Sequence, residues 1–278
     1  MTYVLAVLSS ITYGAADFCG GLASRRSSPL FAVVVVSQLS GLVLLLIALP
    51  FLPRALPTTI DLAWGAAAGL AGGIGVALLY RALAIGVMSV IAPVTAVCSV
   101  IIPVVVGLAL GERPALLAIL GILLAIVAII LVSQTGEARA AAGVWTAIAS
   151  GIAIGVFLVF LGRTGSAAGI WPLIPSRAVS VSFFTVAGLL SREKLVPRRD
   201  SLWIVIAGGI SDMIANVLYL MAVRMGLLSI VATVTSLYPT STIILARIVL
   251  HERLRALQQI GVVCAAIAIV LIVSSCSA

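Results

Sequence analysis

Apolar runs of about 20 residues follow one another along almost the whole sequence, and they constrain its fold more than any other feature. A run of this length is what an α-helix needs to cross the hydrocarbon core of a bilayer. Strands of a membrane barrel alternate between apolar and polar residues, whereas these runs are uniformly apolar. The sequence therefore predicts an all-α, polytopic membrane protein with ten transmembrane helices, at roughly 3–23, 30–52, 62–85, 87–110, 115–132, 142–162, 171–191, 202–224, 227–250 and 256–274.

The composition agrees with a membrane protein, because only 9% of the residues are charged and 63% are hydrophobic. The loops between the runs are short and leave no room for a soluble domain. The first run lacks a basic leader and contains Asp17, so we expect it to be a retained span and not a cleaved secretory signal. A multi-pass protein of the cell (inner) membrane is the expected result.

The net charge of +8 resides in the loops, where it indicates orientation in the membrane and not binding to nucleic acid. Most basic residues fall on one side of the predicted spans. The positive-inside rule places that side in the cytoplasm and both termini outside. The residues on the cytoplasmic side are Arg25, Arg26, Arg81, Arg139, Arg192, Lys194, Arg198, Arg199, Arg253 and Arg255.

The two halves of the sequence resemble each other, since residues 64–134 align without a gap with residues 204–274. We predict two repeats of five helices each, 1–135 and 142–278. Because five is odd, equivalent helices of the two repeats must cross the membrane in opposite directions. Two inverted halves can expose a central cavity to one face and then to the other, which is alternating access. Residues that match in register are Gly69 with Gly209, Gly86 with Gly226, Ser89 with Ser229, and Glu112-Arg113 with Glu252-Arg253.

Three segments carry a resemblance to a known family: "ITYGAADFCGGLASRR", "YRALAIGVMSVIAPVTAVCSVIIPVVVGLALGERP" and its second-half partner "YLMAVRMGLLSIVATVTSLYPTSTIILARIVLHERL". They resemble the EamA-type family of the drug/metabolite transporter superfamily, and the resemblance covers essentially the whole chain. It implies ten helices in two inverted five-helix repeats around a central cavity, and transport of small metabolites, often amino acids and commonly outward. The chain departs from its own repeat where Thr233 and Leu254 replace Pro93 and Pro114.

Three ionisable residues stand out inside predicted spans, where a charge is costly and indicates a function. They are Asp17 in span one, Arg177 in span seven and Asp212 in span eight. Asp212 lies about 15 Å along its helix, close to the bilayer midplane, where transporters usually bind their substrates.

Helical spacing places further polar residues beside these charges. Asp212, Asn216 and Tyr219 share one face of their helix, and Tyr13 and Asp17 share a face of the first. In span nine, Pro239 is expected to free backbone carbonyl groups inside the membrane. Such a lining suits a zwitterionic or aromatic solute, whose carboxylate pairs with Arg177 and whose ammonium pairs with a carboxylate. The predicted substrate-binding residues are Tyr13, Asp17, Arg177, Asp212, Asn216, Tyr219, Thr235 and Tyr238.

Structural roles compete with these functional ones. Arg177 and Asp212 could simply neutralise each other as an ion pair between helices. Serines and threonines on spans more often connect helices than bind ligands. Glu112 and Glu252, each in a turn ahead of a span, are expected to stabilise the start of the following helix.

The function that these features favour is a secondary transporter that moves small polar metabolites, amino acids or related compounds, with protons as a candidate coupling ion. No phosphate-binding loop, cofactor motif or metal-ligand spacing is present in the sequence. The alternatives are an intramembrane enzyme, such as a lipid-modifying one, and a channel. The enzyme lacks a recognisable nucleophile and base, and a channel less naturally uses an inverted repeat.

Overall fold

A computed structural model describes residues 2–26, 28–51, 55–109, 116–133, 138–225, 235, 237–252 and 256–275. These residues form helices joined by short connections, and no strand occurs among them. The helices of the first half are α1 (Thr2–Arg25), α2 (Leu30–Ala48), α3 (Thr59–Ile85), α4 (Met88–Ala109) and α5 (Leu116–Ser133). Those of the second half are α6 (Ala138–Gly162), α7 (Leu173–Leu190), α8 (Arg199–Met225), α9 (Tyr238–Leu250) and α10 (Ala256–Ser275).

The predicted all-helical membrane class is confirmed. Within the described residues, α1, α2, α3, α6, α7 and α8 contain stretches long and apolar enough to cross a bilayer. Shorter apolar stretches lie in α4, α5, α9 and α10. The chain is therefore a multi-pass membrane protein, while the crossing of all ten helices stays a prediction.

Side chains are distributed as in a protein whose solvent is lipid. Large apolar residues such as Ile47 and Leu189 are exposed on the outside of the bundle. Small polar residues are buried between helices and bond to the backbone of a neighbour: Ser150 Oγ donates to the Gly75 carbonyl at 2.7 Å, and Ser9 Oγ donates to the carbonyl of Ala215 at 2.9 Å. The expectation that serines connect helices is thus confirmed at these positions.

The two halves exchange contacts reciprocally. In the first half α3 packs along α6 and against α7, and in the second half α8 packs along α1 and against α2. Equivalent glycines lie at the crossings: an added Cβ at Gly69 would be 2.1 Å from the carbonyl oxygen of Ser176, and one at Gly209 would be 2.0 Å from that of Ser37. Only glycine allows backbones to approach this closely.

We expect Gly69→Ala to destabilise the fold, because its methyl group would push α7 away from α3 and cost about 1–3 kcal/mol, as overpacking does. The temperature midpoint of unfolding in detergent measures this loss. Gly162→Ala at the end of α6 is the matched control, because nothing lies within 4 Å of the added Cβ. An equal midpoint for both variants would contradict the close crossing.

The region of predicted span nine differs from expectation. Residues 226–234 and 236 lie outside the described residues, so Thr233 has no structural account. Pro239 is at the start of α9 and not inside a helix. The first turn of a helix tolerates proline, because its missing N–H has no intrahelical partner there. Whether Pro239 frees carbonyl groups of the preceding segment stays a prediction, because that segment lies largely outside the described residues.

Candidate functional site

A cavity of about 160 Å³ lies between the two halves. All eight residues predicted to bind a substrate line it: Tyr13, Asp17, Arg177, Asp212, Asn216, Tyr219, Thr235 and Tyr238. At about 10–15 Å³ for each water molecule, the cavity has room for on the order of ten waters or one small organic solute. The structure brings the predicted residues together, and their binding role stays a prediction.

Arg177 connects α7 to two other helices at the cavity. One terminal nitrogen of its guanidinium, Nη1, donates to the side-chain oxygen of Gln38, and Nη2 donates to a carboxylate oxygen of Asp212. The ion pair considered from the sequence is therefore present in this conformation. Asn216 extends the network, because its Nδ2 donates to the Asp212 backbone carbonyl at 2.7 Å.

Several polar groups of the cavity lack a protein partner. Asp17 makes no hydrogen bond or ion pair with any part of the chain that the structure describes, although it lines the cavity. Three buried atoms of residues that line the cavity also have no hydrogen-bond partner among the described residues, namely Arg177 Nε, Ser180 Oγ and Thr235 Oγ1. Buried polar groups usually have partners, so this concentration at one cavity is typical of a binding site.

Two tyrosine rings also line the cavity beside the charged residues. The rings of Tyr13 on α1 and Tyr238 on α9 lie with their centroids 6.3 Å apart, tilted by 58°. This distance lies within the range of favourable aromatic pairs. The contact connects the first half to the second beside Asp17.

Gln38, Ser176 and Ser180 also line the cavity, and sequence reasoning missed them. Gln38 carried a signal, since it is a large polar residue in the middle of an apolar span. The serines carried none, because serine is common on helices that pack against each other.

On α6 and α7 the cavity lies near one end of the bundle. Its lining includes Leu161, next to the last residue of α6, and Leu173, the first residue of α7. At the other end the lining stops at Leu79, six residues or about 9 Å before α3 ends at Ile85. The solute space is therefore closed at the end where α1 and α3 terminate.

A cluster that we call the Glu252 clamp stabilises this closed end. It consists of Glu252, Arg25, Met88 and Ser89. One carboxylate oxygen, Oε1, accepts from the Met88 backbone N–H and from Arg25 Nη2, both at 3.0 Å. The other, Oε2, accepts from the backbone N–H and the hydroxyl of Ser89, also at 3.0 Å.

The clamp joins the two halves, because Glu252 follows α9 while its partners belong to α1 and α4. Glu252 thus stabilises the start of a helix, as expected, but that helix is α4. The sequence prediction named the following helix, α10, and it stays a prediction for that helix, because residues 253–255 lie outside the described residues. A carboxylate at a helix start interacts favourably with the exposed N–H groups wherever the helix comes from. Glu112 lies outside the described residues.

Comparison with known families and structures yields a family match and a structural match. The model of a family described as "EamA-like transporter family" matches residues 1–134 and again residues 141–274. No curated protein sequence matches significantly. Seventeen chains of solved structures match, and one of them, described as a crystal structure of a protein, has 14% identity and a TM-score of 0.59 over 95% of this chain and 96% of its own. At this identity the likeness shows the fold alone.

Proposed function

We propose, from the premise that this chain belongs to the EamA-like transporter family, that it is a secondary transporter of small zwitterionic metabolites. Amino acids and related compounds are its substrates, it exports them across the cell (inner) membrane, and it works by alternating access. The observation that carries this proposal is a cavity that combines a guanidinium, Arg177, with an unpaired carboxylate, Asp17.

The charges of the cavity match those of a zwitterion. Arg177 offers a planar group that suits a carboxylate. Asp17 offers a carboxylate that no described group neutralises, and a solute ammonium would supply the missing charge. A buried charge is costly until it is paired, so solute binding relieves that cost.

Alternating access is supported by the Glu252 clamp, which joins the two halves at the end of the bundle where α1 and α3 terminate. Among the described residues, the lining of the cavity stops short of that end. Five helices in each half require opposite orientations, so an opening related by the pseudo-two-fold axis of the repeats is available at the clamped end. Arg25, Arg26 and Arg81 lie at the clamped end, which the positive-inside rule assigns to the cytoplasm.

Counterflow in proteoliposomes tests the function. Vesicles with purified protein and preloaded with unlabelled amino acid should take up the radiolabelled compound faster than unloaded vesicles. A channel gives no such stimulation, and that result would refute a carrier. An imposed pH gradient tests protons as the coupling ion, since uptake should respond to it if Asp17 or Asp212 carries the proton.

We expect Asp17→Asn to reduce counterflow by on the order of tenfold, because the substituted amide cannot pair with an ammonium. The unfolding midpoint should stay within a few degrees of wild type, since Asp17 has no partner among the described residues to lose. Initial rates in proteoliposomes and thermal unfolding in detergent measure the two effects. Wild-type counterflow in this variant would remove Asp17 from the site.

A further inference from the structure

The two walls of the cavity are built by equivalent helices of different chemistry. Gly69 of α3 and Gly209 of α8 make the same close approach to a serine of the other half. Counting along each helix from these glycines, Gly72, Val76 and Leu79 of α3 correspond to Asp212, Asn216 and Tyr219 of α8. All six line the cavity.

The same difference in polarity is present on the helices that pack along these two: α1 packs along α8, and α6 packs along α3. The α1 side presents Tyr13 and Asp17 to the cavity. The α6 side presents only apolar side chains, Ile154, Phe157, Leu158 and Leu161. The carboxylates therefore lie on the wall of α1 and α8, and the equivalent wall of α3 and α6 is apolar, although the halves share one architecture.

Phe157 is central to the apolar wall. A Cβ added at Gly72 would lie 2.8 Å from its ring carbon Cδ2, so the ring rests directly against the backbone of α3. Asp212 occupies the position equivalent to Gly72 in the second half. The absence of a side chain at Gly72 thus makes room for an aromatic surface opposite the charged groups.

We propose that the solute is amphipathic: its charged groups bind Asp17, Asp212 and Arg177, and an aliphatic or aromatic body packs on the wall formed by Phe157 and its α6 neighbours. Phe157 is then a residue that determines specificity. This inference rests on the proposed function and narrows its substrates to amino acids with apolar side chains. The 160 Å³ cavity has room for a side chain of the size of leucine or phenylalanine.

An amphipathic site and a uniformly polar site differ in how affinity depends on the size of the apolar side chain when the ammonium and carboxylate groups stay the same. Burying one methylene group favours binding by about 0.8 kcal/mol, which corresponds to about a fourfold change in affinity. A uniformly polar cavity would instead bind glycine as well as leucine. The series from glycine through alanine and valine to leucine and phenylalanine therefore separates the two cases.

The experiment measures inhibition of counterflow by each member of this series, with wild type, Phe157→Ala, Phe157→Leu and Phe51→Ala. Wild type should bind leucine on the order of a hundredfold more tightly than glycine if the four additional carbons are buried, by the same methylene value. Phe157→Ala should reduce the preference for leucine over glycine severalfold. Phe157→Leu retains an apolar surface, so it should retain the preference for leucine and lose part of the preference for phenylalanine. Phe51 is 86% exposed outside the cavity, so Phe51→Ala should retain the wild-type series.

The outcomes separate this inference from the function on which it rests. Equal inhibition by glycine and leucine in the wild type would overturn the amphipathic substrate while leaving a zwitterion carrier intact. An unchanged series in Phe157→Leu and Phe157→Ala would overturn the role of Phe157. If no amino acid supports counterflow, the proposed function itself fails. Leucine analogues without the ammonium or without the carboxylate should inhibit weakly, and strong inhibition by either would refute binding of both charges.

Discussion

Arg177→Ala is expected to abolish measurable counterflow and to lower the unfolding midpoint. The substitution leaves the Asp212 carboxylate without its cation and the Gln38 side chain without its donor. Removing one member of a buried ion pair costs about 3–5 kcal/mol, far more than an exposed pair contributes. Proteoliposome counterflow and thermal unfolding in detergent measure the two losses. Asp212→Asn should have a smaller effect on stability, because it retains an oxygen that accepts from Arg177.

The chain contains a matched control in the pair of Arg198 and Asp200. These side chains lie 3.5 Å apart at the start of α8, and both are more than half exposed. Arg198→Ala should therefore change neither midpoint nor transport. Wild-type transport in both Arg177→Ala and Asp212→Asn would show that the proposed cavity lining is wrong.

An exchange of the two charges separates pairing from solute binding. If Arg177 and Asp212 only neutralise each other, the double variant Arg177→Asp with Asp212→Arg should recover stability and transport together. If Arg177 also binds the solute carboxylate, stability should recover in part while counterflow stays absent, because the cation has moved to α8. Full recovery of transport would contradict a direct role in binding.

Glu252→Ala is expected to open the closed end of the bundle. The substitution removes the acceptor of two backbone N–H groups, the Ser89 hydroxyl and Arg25, and each donor left unsatisfied costs about 1–3 kcal/mol where water does not reach it. The unfolding midpoint should fall clearly. Cys19, which lies on α1 between the cavity residue Asp17 and the clamp residue Arg25, should react faster with a maleimide, on the order of tenfold for an equilibrium shift of about 1.4 kcal/mol.

The labelling is measured in a chain whose other cysteines, Cys98, Cys264 and Cys276, are replaced by alanine. Glu193→Ala is the control, because Glu193 is exposed in the connection after α7. Glu252→Gln should be intermediate, since the amide keeps one acceptor oxygen but loses the charge. A Glu252→Ala protein with the midpoint and Cys19 reactivity of wild type would show that the clamp does not hold this end closed.

The sequence predicted the charged part of the cavity well, for a physical reason. An ionisable residue in an apolar span is too costly to be incidental, so Asp17, Arg177 and Asp212 stand out without knowledge of their neighbours. Helical spacing then added Asn216 and Tyr219 on the face of Asp212. The structure places all of these residues at one cavity.

Phe157 and Gly72 could not be found in this way. Both are ordinary residues of a membrane helix, and they become notable only when α6 and α3 pack so that the ring meets the glycine. The bond from Arg177 to Gln38 joins residues far apart in the chain, so no local spacing reveals it. Contacts of this kind depend on which helices cross.

The sequence by itself determined that the chain is a membrane protein, that it is helical and that it contains a repeat. The length and polarity of each apolar run are local properties, and lipid requires a helix of that length and polarity. The partner of each polar group was decided only by the tertiary structure. Glu252 shows the difference. From the sequence we expect its carboxylate to stabilise the start of a helix, but only the packing of α9 against α4 brings it to the N–H groups of Met88 and Ser89. An electrostatic interaction depends on distance in space, and that distance is set by the fold.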